Sequence, residues 1–282
     1  ANTEYLIYQT LVGAWPLSAE RLRGYLYKAI HEAKSHTSWI EPDLRYDEAI
    51  DRFGEAILDP ARSARFLEDF VPFQQRVARF GLLNTLAQTL VKITTPGIPD
   101  FYQGTELWDL NLVDPDNRRP VDFALRQRTL EALVAEIESG HELAGLAQDL
   151  TKRWEDGRIK LFVIRQALAC RRRHPGLFID GVYRPLDVEG PLTEHLCAFA
   201  RGGSGQAALT VVPRLLARRG SDEPPLGRQY WGEGTRVVVP AEVGDRFVNA
   251  LTAERLAVTD GGIDAAGLFA SFPVALLVTD ET

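Results

Sequence analysis

The sequence predicts an α/β plus β fold: the helical C-terminal part of a (β/α)8 barrel, with its last strand and helices, followed by an all-β sandwich domain. From Tyr5 to about Ile137, apolar residues recur mostly at helical spacing. One short apolar run at residues 98–102 interrupts that region and predicts a strand. After Phe178 the pattern changes to short β runs separated by Gly, Pro and Asp turns, which is typical of an all-β domain.

The helical segments of the first region have their own start and stop signals. Ser18 and Asp122 precede helical patterns and are expected to cap them. A long helix is expected from about residue 72 to residue 93, where a Pro-Gly pair follows and stops it, and a last helix is expected over residues 160–173. The predicted buried face of the long helix comprises Phe73, Val77, Phe80, Leu83 or Asn84, Ala87 and Leu90.

Six short runs predict the strands of the second region. They cover residues 182–188, 195–200, 207–213, 235–239, 246–251 and 273–279. The change of pattern places a boundary within residues 174–181, so the predicted domains are 1–176 and 177–282. Residues 218–227, RRGSDEPPLG, predict a flexible loop inside the second domain.

The single strand at residues 98–102 needs partners from elsewhere. A lone strand among helices leaves its backbone donors and acceptors unpaired. We therefore expect it to be the last strand of a (β/α)8 barrel whose other strands precede residue 1. The loop that follows would then open at the C-terminal face of the barrel, where such barrels place their sites. The sequence also contains no methionine, and we expect it to be a piece of a longer protein.

Composition excludes several classes of protein. The formal net charge of −7, from 39 acidic and 32 basic residues without a basic tract, disfavours a nucleic-acid partner because phosphate binding needs clustered Lys and Arg. No apolar stretch reaches the roughly 18 residues that a membrane span needs. Cys170 and Cys197 lack the spacing of metal ligands and predict buried thiols of a reducing compartment. We expect a cytoplasmic protein.

Residues 96–123, PGIPDFYQGTELWDLNLVDPDNRRPVDF, are the segment most informative about function. A carbohydrate presents hydroxyls that need paired polar partners and flat CH faces that stack on aromatic rings. Because this loop is rich in carboxylates, amides, guanidinium groups and aromatic rings, it predicts an oligosaccharide site. The candidate substrate-binding residues are Tyr102, Gln103, Asp114, Asp116, Asn117, Arg118 and Arg119.

These candidates are expected to divide between ligand contact and support of the loop. Asp116 and Arg119 are expected to contact the sugar and Arg118 to brace the loop, although Asp and Arg this close in sequence often pair with each other. Tyr102 and Gln103 are expected to stack on or bond to a glucose ring. The alternative is a packed tyrosine and a glutamine that braces the loop.

A metal ion and a cofactor are not expected. Asp109, Asn111, Asp114 and Asp116 have oxygen ligands at close spacing, but the glycine and the distal glutamate of a calcium-binding EF-hand loop are missing. No other spacing of His, Cys or carboxylates in the sequence predicts a metal centre.

A second polar and aromatic cluster lies in the helical region. Its members are Lys34, His36, Thr37, Ser38 and Trp39. One interpretation is a lining for a donor subsite. The other is the end of a surface helix with a buried indole, because Trp is usually buried and a lone His is usually structural.

Several segments resemble a known family. Residues 97–106, GIPDFYQGTE, resemble the end of the catalytic barrel in the α-amylase superfamily, glycoside hydrolase family 13. More narrowly, four segments resemble the C-terminal portion of the maltooligosyltrehalose synthase family, and together they extend over nearly the whole chain. They are residues 2–16, 32–42, 96–123 and 269–277.

The resemblance implies an intramolecular transglucosylation that exchanges the reducing-end α-1,4 bond of a maltooligosaccharide for an α,α-1,1 bond. Such retaining chemistry needs two carboxyl groups about 5 to 5.5 Å apart. In the family, these and a supporting aspartate precede the segment that residues 2–16 resemble, so no catalytic residue is assigned here. Glu106 follows the predicted strand by four residues, and the resemblance implies that it supports the loop rather than performing acid/base chemistry.

The resemblance also implies two partners, a maltooligosaccharide substrate and the protein's own N-terminal portion. The isolated piece is expected to be inactive, and to aggregate, dimerise or require that portion, because an unpaired strand exposes apolar surface and backbone. Two other functions remain open. One is a non-catalytic carbohydrate-binding or scaffold module, and the other is a different family 13 transglycosylase or hydrolase.

Overall fold

The computed structural model describes residues 2–140, 142–203 and 205–280. The chain divides into two compact units, Ala1–Gly81 with Asp109–Val121 and Leu82–Trp108 with Asp122–Thr282. This division does not coincide with the predicted boundary after residue 176, because one hydrophobic core joins residues on both sides of that boundary. The predicted domains, 1–176 and 177–282, stay a prediction.

Helices form most of the chain before residue 179. In chain order, the helices of the described residues are α1 Asn2–Ala14, α2 Ala19–Ala33, α3 Leu44–Leu58, α4 Pro60–Thr94, α5 Phe123–Glu138, α6 Leu143–Lys152, α7 Arg158–Arg173, α8 Pro175–Phe178, α9 Gly227–Trp231 and α10 Ala265–Leu268. Within these residues, no helix combines the length and the apolar character that crossing a membrane requires.

The first unit contains α1, α2, α3 and the beginning of α4. Ser18 caps α2 as expected, because its hydroxyl oxygen accepts the backbone N–H of Arg21 at 3.3 Å. Asp43 caps α3, and its carboxylate accepts the backbone N–H groups of Arg45 and Tyr46 at 3.0 and 3.1 Å. The buried apolar side chains of these helices and of the turn before α2 form one cluster. They are Ile7, Leu11, Ala14, Leu17, Leu22, Leu26, Ile57 and Phe70.

Helix α4 is longer than the helix predicted at residues 72–93. It extends over Pro60–Thr94 and includes Pro72, and its backbone is non-helical at Ser63, where φ is −129° and ψ is 31°. Proline was expected near the start of the helix, where its missing N–H costs no hydrogen bond. The observed helix instead begins about three turns earlier, at another proline.

The predicted buried face of α4 is confirmed only in its second half. Ala87 and Leu90 are buried, whereas Phe73 and Val77 are exposed. The prediction for the first half is wrong because helical spacing shows which side chains share a face, but not whether a neighbouring element covers that face.

Residues 98–102 do not form the predicted strand. No strand hydrogen bonds involve them within the described part of the chain, and Ile98 is 94 % exposed. The prediction fails in this structure because a strand exists only when a neighbouring strand accepts and donates its backbone hydrogen bonds, and none of the described strands lies beside this segment.

The second unit contains two antiparallel sheets. Among the described residues, the strands are β1 Val182–Pro185, β2 Val188–Glu189, β3 Leu196–Gly203, β4 Gln206–Pro213, β5 Arg236–Val238, β6 Arg246–Asn249, β7 Arg255–Ala257, β8 Gly262–Asp264 and β9 Ala275–Thr279. The larger sheet has the order β1-β3-β4-β9-β6-β7, and the smaller has the order β2-β5-β8. β3 and β4 pair over their whole length, with Phe199 opposite Thr210.

All six predicted strand runs contain an observed strand, and the first run contains both β1 and β2. The strands β7 and β8 were not predicted, because each is only three residues long and a period of two is not recognisable at that length. The sandwich arrangement of the two sheets stays a prediction.

The core of the second unit joins α7 to the larger sheet. Phe162 and Ala167 of α7 belong to the same buried cluster as Val212 of β4 and Leu276 of β9. The ring of Phe162 meets the ring of Phe272 edge-on, with centroids 5.6 Å apart, a favoured aromatic geometry. Helix α7 was predicted at residues 160–173 and is confirmed.

The two cysteines differ in burial. Cys170 lies buried on α7 as expected, and burial raises the pKa of its thiol to about 11. Cys197 is exposed, so the prediction of a buried thiol there is wrong. Successive side chains of a strand point to opposite faces, and Cys197 lies between the buried Leu196 and Ala198 of β3.

Two arginines of the second unit bind backbone carbonyls at the end of α4. Arg201 is fully buried, and its guanidinium donates to the carbonyl oxygens of Thr94, Phe178 and Gly181 at 3.2, 3.0 and 2.8 Å. Arg171 donates to the carbonyls of Ile93 and Gly97 at 2.8 and 2.6 Å. The last carbonyls of a helix have no intrahelical partner, so these guanidinium groups fix the backbone from which residues 98–102 continue. Burial lowers the pKa of Arg201, and the charge of Arg171 lowers it further.

Replacing Arg201 with methionine is expected to destabilise the protein strongly. The R201M variant keeps much of the apolar volume but leaves three carbonyls without their donor, at a cost of about 2 to 4 kcal/mol in the free energy of unfolding. Urea unfolding followed by tryptophan fluorescence measures this cost. The matched control is Arg246→Met at an exposed position of β6, for which a change below about 0.5 kcal/mol is expected. An equal loss in the free energy of unfolding for R201M and R246M would refute the role of Arg201 in binding the three carbonyls.

Candidate functional site

The seven candidate substrate-binding residues are divided between the two units. Tyr102 and Gln103 belong to the second unit, and the other five, at residues 114 and 116–119, belong to the first. In the first unit they form a short loop that contains a 3-10 turn, Asp116–Arg118. The structure therefore brings five of the seven together, and each group is described within its own unit.

Asp116 is the centre of the loop in the first unit. Its side chain is only 5 % exposed, and its two carboxylate oxygens accept hydrogen bonds from Nε and Nη2 of Arg21, both at 2.9 Å. Oδ2 also accepts the backbone N–H of Leu112 at 2.7 Å, and Arg21 donates to the carbonyl of Leu110 at 2.8 Å. This bidentate, charge-assisted pair ties the loop to α2.

The electrostatics of this pair agree with its geometry. The hydrogen bonds from the Arg21 guanidinium hold the pKa of Asp116 below its usual range, the N–H of Leu112 lowers it further, and burial opposes both effects. The same hydrogen bonds raise the pKa of Arg21. Both groups are therefore charged at neutral pH, and the carboxylate stabilises the loop.

The two neighbouring arginines both bind groups of the loop. Arg119 donates from Nε to the backbone carbonyl of Asp116 at 3.2 Å and from Nη2 to the side-chain oxygen of Asn111, so it braces the loop. Arg118 is 75 % exposed and pairs with Asp114, which also accepts from Lys28 of α2 at 3.3 Å. Asn117, Arg118 and Arg119 are all exposed to solvent, Arg118 with 75 % and Arg119 with 49 % of its side chain.

The expected brace, Arg118, does pair with Asp114, and the expected ligand contacts of Asp116 and Arg119 stay predictions. The sequence correctly indicated that Asp and Arg of this loop pair with each other. It did not indicate Arg21, which lies 95 positions from Asp116. Arg21 and Lys28 are seven residues apart, so they project from the same side of α2, and that spacing was the available signal. Contact of any of the seven residues with a sugar stays a prediction.

In the second unit, Tyr102 and Gln103 lie at an exposed turn. The carbonyl of Tyr102 accepts the N–H and the hydroxyl of Thr105 at 3.1 and 2.7 Å. Arg126 of α5 donates to the carbonyl of Gly104 at 2.6 Å and to the carboxylate of Glu106 at 3.1 Å. These hydrogen bonds brace the backbone of the turn, and Glu106 is bound to an arginine rather than presented as a free acid.

Trp108 follows this turn and is part of the packing of the second unit. Its indole N–H donates to the carbonyl of Trp154 at 2.6 Å. Gly157 has φ of 79°, and a Cβ at this position would lie 3.1 Å from the backbone nitrogen of Trp108, so the close approach requires glycine. Trp108 therefore has a packing role in the second unit.

The second polar and aromatic cluster is built around His31, a residue of α2 that the sequence did not single out. His31 is 1 % exposed, and its Nδ1 donates to the carbonyl of Tyr27 at 2.6 Å. Its Nε2 lies 3.4 Å from the hydroxyl of Thr37 and 3.4 Å from the carboxylate of Asp47. Trp39 is 53 % exposed, so the expectation of a buried indole is wrong.

A groove of about 780 Å³ lies between α1 and α3 in the first unit. The rings of His36 and Tyr46 lie tilted at 38° with centroids 4.8 Å apart, and the Tyr46 hydroxyl is hydrogen-bonded to Thr3 at 2.7 Å. The apolar side of the groove includes Ile7 and Phe53. The lining combines apolar side chains with few charged groups. Nothing in it identifies a ligand.

Within the residues that the structure describes, no group of three or more His, Cys, Asp or Glu side chains is arranged to hold a metal ion. The pair of Asp114 and Asp116 illustrates the reason. Both carboxylates are bound to cations of this chain, Asp116 to Arg21 and Asp114 to Lys28 and Arg118.

Comparison with known proteins gives a consistent result. A curated protein of Mycobacterium tuberculosis with the name "Putative maltooligosyl trehalose synthase" is 34 % identical over 288 residues, which cover 100 % of this chain and 32 % of that protein. The solved maltooligosyltrehalose synthase of Arthrobacter ramosus superposes with a TM-score of 0.76 at 36 % identity, over 98 % of this chain and 32 % of that one. The chain is homologous to a portion of maltooligosyltrehalose synthases.

A more distant solved structure supports the same relationship. The hypothetical maltooligosyl trehalose synthase of Sulfolobus tokodaii superposes with a TM-score of 0.69 at 26 % identity, over 99 % of this chain and 32 % of that one. No protein-family model matches the chain. The resemblance found in the sequence is thus confirmed, and the chain spans about a third of the length of the curated relatives that it matches.

Replacing Asp116 with asparagine is expected to loosen the loop. The D116N variant loses the charge that binds Arg21, which is worth about 1.5 to 3 kcal/mol. Hydrogen exchange of the peptide covering residues 109–121 is therefore expected to accelerate by about 10- to 100-fold at neutral pH. Because the pKa of Asp116 is lowered, the stabilisation is present above the usual aspartate pKa near 4 and is lost as the pH falls through the lowered value.

The pH series and a control make this test specific. The difference between wild type and D116N is expected to shrink toward zero in acid, when the wild-type carboxyl is itself protonated. Asp69→Asn on the exposed side of α4 is expected to change neither exchange nor its pH dependence. If the exchange rates of wild type and D116N differed by the same factor down to the most acidic pH, the charge of Asp116 would not be what stabilises the loop.

Proposed function

We propose that this chain is the C-terminal portion of a maltooligosyltrehalose synthase. The observation that carries the proposal is identity of 34 to 36 % over essentially the whole chain with proteins of that name. The loop from residue 109 to residue 121 carries five of the seven candidate residues. The pair of Asp116 and Arg21 binds it to α2, and this anchoring supports a binding role.

The proposed architecture is the end of a (β/α)8 barrel followed by a β-sandwich domain. In this proposal residues 98–102 become the last barrel strand when the remaining portion of the protein lies beside them. The exposure of Ile98 and the guanidinium groups of Arg171 and Arg201, which fix the backbone just before it, support such a docking segment. A cytoplasmic location and dependence on the N-terminal portion belong to the same proposal.

The proposed reaction is a retaining transfer within one maltooligosaccharide. A carboxylate attacks the anomeric carbon of the penultimate glucose, a second carboxyl protonates the leaving oxygen, and the released glucose attacks the glycosyl-enzyme through its own anomeric hydroxyl. Water must be excluded, because hydrolysis competes with the transfer. Neither carboxyl group is assigned to this chain, and Glu106, which is bound to Arg126, supports its turn.

The loop of the first unit would hold the sugar hydroxyls. Arg118 and Asn117 are exposed, and a guanidinium with a nearby amide supplies the donors and the acceptor that a vicinal diol needs. Asp114 would accept from the sugar in addition to its pairs with Lys28 and Arg118. Asp116, with both oxygens occupied, acts by fixing the loop.

A non-catalytic carbohydrate-binding module is the second candidate. Such a module stacks sugars on paired exposed aromatic rings. Among the described residues after 176, Tyr183 is the one strongly exposed aromatic side chain. The β region therefore offers no aromatic pair, which favours a role for this chain in a catalytic protein.

The protein expressed from its complete gene is expected to convert maltopentaose to a non-reducing product of the same mass. Loss of reducing ends without release of glucose, together with the anomeric proton signals of an α,α-1,1 bond in the NMR spectrum, measures the conversion. A rise in reducing ends would indicate a hydrolase. Sucrose-derived products would indicate another transglycosylase, and the absence of any turnover would support the binding module.

In the same protein, Glu106→Gln is expected to reduce kcat by less than tenfold. The amide oxygen still accepts from Arg126, so the turn persists, and no proton transfer is lost. A catalytic carboxyl would cost far more, since general acid–base catalysis contributes typically 100- to 10,000-fold. Arg126→Met is expected to reduce kcat more than E106Q does, because the Gly104 carbonyl then also loses its hydrogen-bond donor. A kcat reduced a thousandfold by E106Q would show that Glu106 is a catalytic residue.

A further inference from the structure

Two aromatic side chains of the first unit are held half-exposed by a buried histidine. Trp39 is 53 % exposed and Tyr27 is 48 % exposed. Their rings meet edge-on with centroids 5.5 Å apart, and His31 lies 4.2 Å from Tyr27 and 4.8 Å from Trp39. We refer to Tyr27 and Trp39 together as the aromatic platform.

The platform is preorganised by hydrogen bonds beneath it. His31 is fixed because Nδ1 donates to the Tyr27 carbonyl and Nε2 faces Thr37. Thr37 is 3 % exposed, and its hydroxyl accepts the N–H of Asp43 at 3.0 Å. This network holds the segment that carries Trp39 against α2. Such a network is expected beneath a binding site. When the rings are already positioned, less conformational entropy is lost on ligand binding.

The chemistry of the platform fits a sugar ring. Tyrosine and tryptophan combine an apolar face with a polar edge, and a pyranose combines a flat CH face with equatorial hydroxyls. In the described part of the chain, neither the Tyr27 hydroxyl nor the Trp39 indole N–H has a hydrogen-bond partner among other side chains or the backbone. Both groups are therefore available to the hydroxyls of a stacked sugar.

The platform also adjoins the candidate loop. Lys28 follows Tyr27 directly on α2, about 100° around the helix, and binds Asp114 at 3.3 Å. The pair of Lys28 and Asp114 therefore starts at the residue next to Tyr27 on the same helix. We propose that Tyr27 and Trp39 stack a glucose ring of the α-1,4-glucan substrate and form a subsite continuous with the loop at residues 114–118. This inference rests on the proposed function.

The experiment uses the protein expressed from its complete gene, with maltohexaose as the probe. Trp39→Ala is expected to raise both the Kd, measured by titration calorimetry, and the KM by about 3- to 10-fold, the loss of one aromatic stacking contact. Trp39→Phe keeps an aromatic face and is expected to restore most of the affinity. Tyr27→Ala is expected to act in the same direction. The matched control is Ile40→Ala, the next residue along the chain, which is 89 % exposed and is expected to leave Kd unchanged.

The outcomes separate the inference from the proposed function. Unchanged Kd and KM in Trp39→Ala and Trp39→Phe, with an active wild type, would overturn the platform alone. A lowered Tm in both Trp39→Ala and Ile40→Ala, with unchanged affinity of the folded fraction, would also overturn it, because this surface would then pack against protein. A wild type that neither binds nor converts maltohexaose would overturn the proposed function itself.

Discussion

The candidate site depends on one buried carboxylate and its guanidinium partner. The loop at residues 109–121 has no helix or strand of its own beyond one 3-10 turn, so few backbone hydrogen bonds stabilise it. Asp116 compensates by binding Arg21 of α2 and the backbone of Leu112, and Arg21 also binds the carbonyl of Leu110. A charge-assisted, bidentate pair is strong and directional, and here it sets the position of Asp114, Asn117 and Arg118 relative to α2.

Arginine performs the same task in the second unit, where its partners are carbonyl oxygens. Arg171 and Arg201 bind the end of α4, and Arg126 binds the turn that carries Tyr102. Backbone at a helix end or in a turn leaves carbonyls without partners, and a planar guanidinium can reach several of them at once. The irregular segments that carry the candidate residues are therefore anchored by side-chain hydrogen bonds although they lack regular structure.

The sequence predicted the elements whose causes are local. The caps at Ser18 and Asp122, the helix α7 and the six strand runs follow from periodicity and capping within a few residues. It failed where the cause lies elsewhere in space. Within the described residues of this structure, no neighbouring strand pairs with residues 98–102, and no neighbouring element buries Phe73. Arg21 is 95 residues from the carboxylate it binds. Within the loop, Arg118 pairs with Asp114, as the sequence indicated, and Arg119 binds Asn111 and the carbonyl of Asp116.

The remaining exposed groups differ in what they can bind. Asp116 and Arg119 already use their hydrogen bonds within the chain. To bind a ligand they would have to break these bonds, which costs about as much free energy as the new bonds to the ligand would return. Arg118 keeps a largely exposed guanidinium. Among apolar groups, Ile98 exposes only hydrocarbon and suits a protein neighbour, whereas Tyr27 and Trp39 expose rings with polar edges. The loop carries solvent-facing polar groups, and α2 and the segment after it carry exposed aromatic rings. In the proposed function, the polar groups would bind the hydroxyls of a glucan and the rings its CH faces.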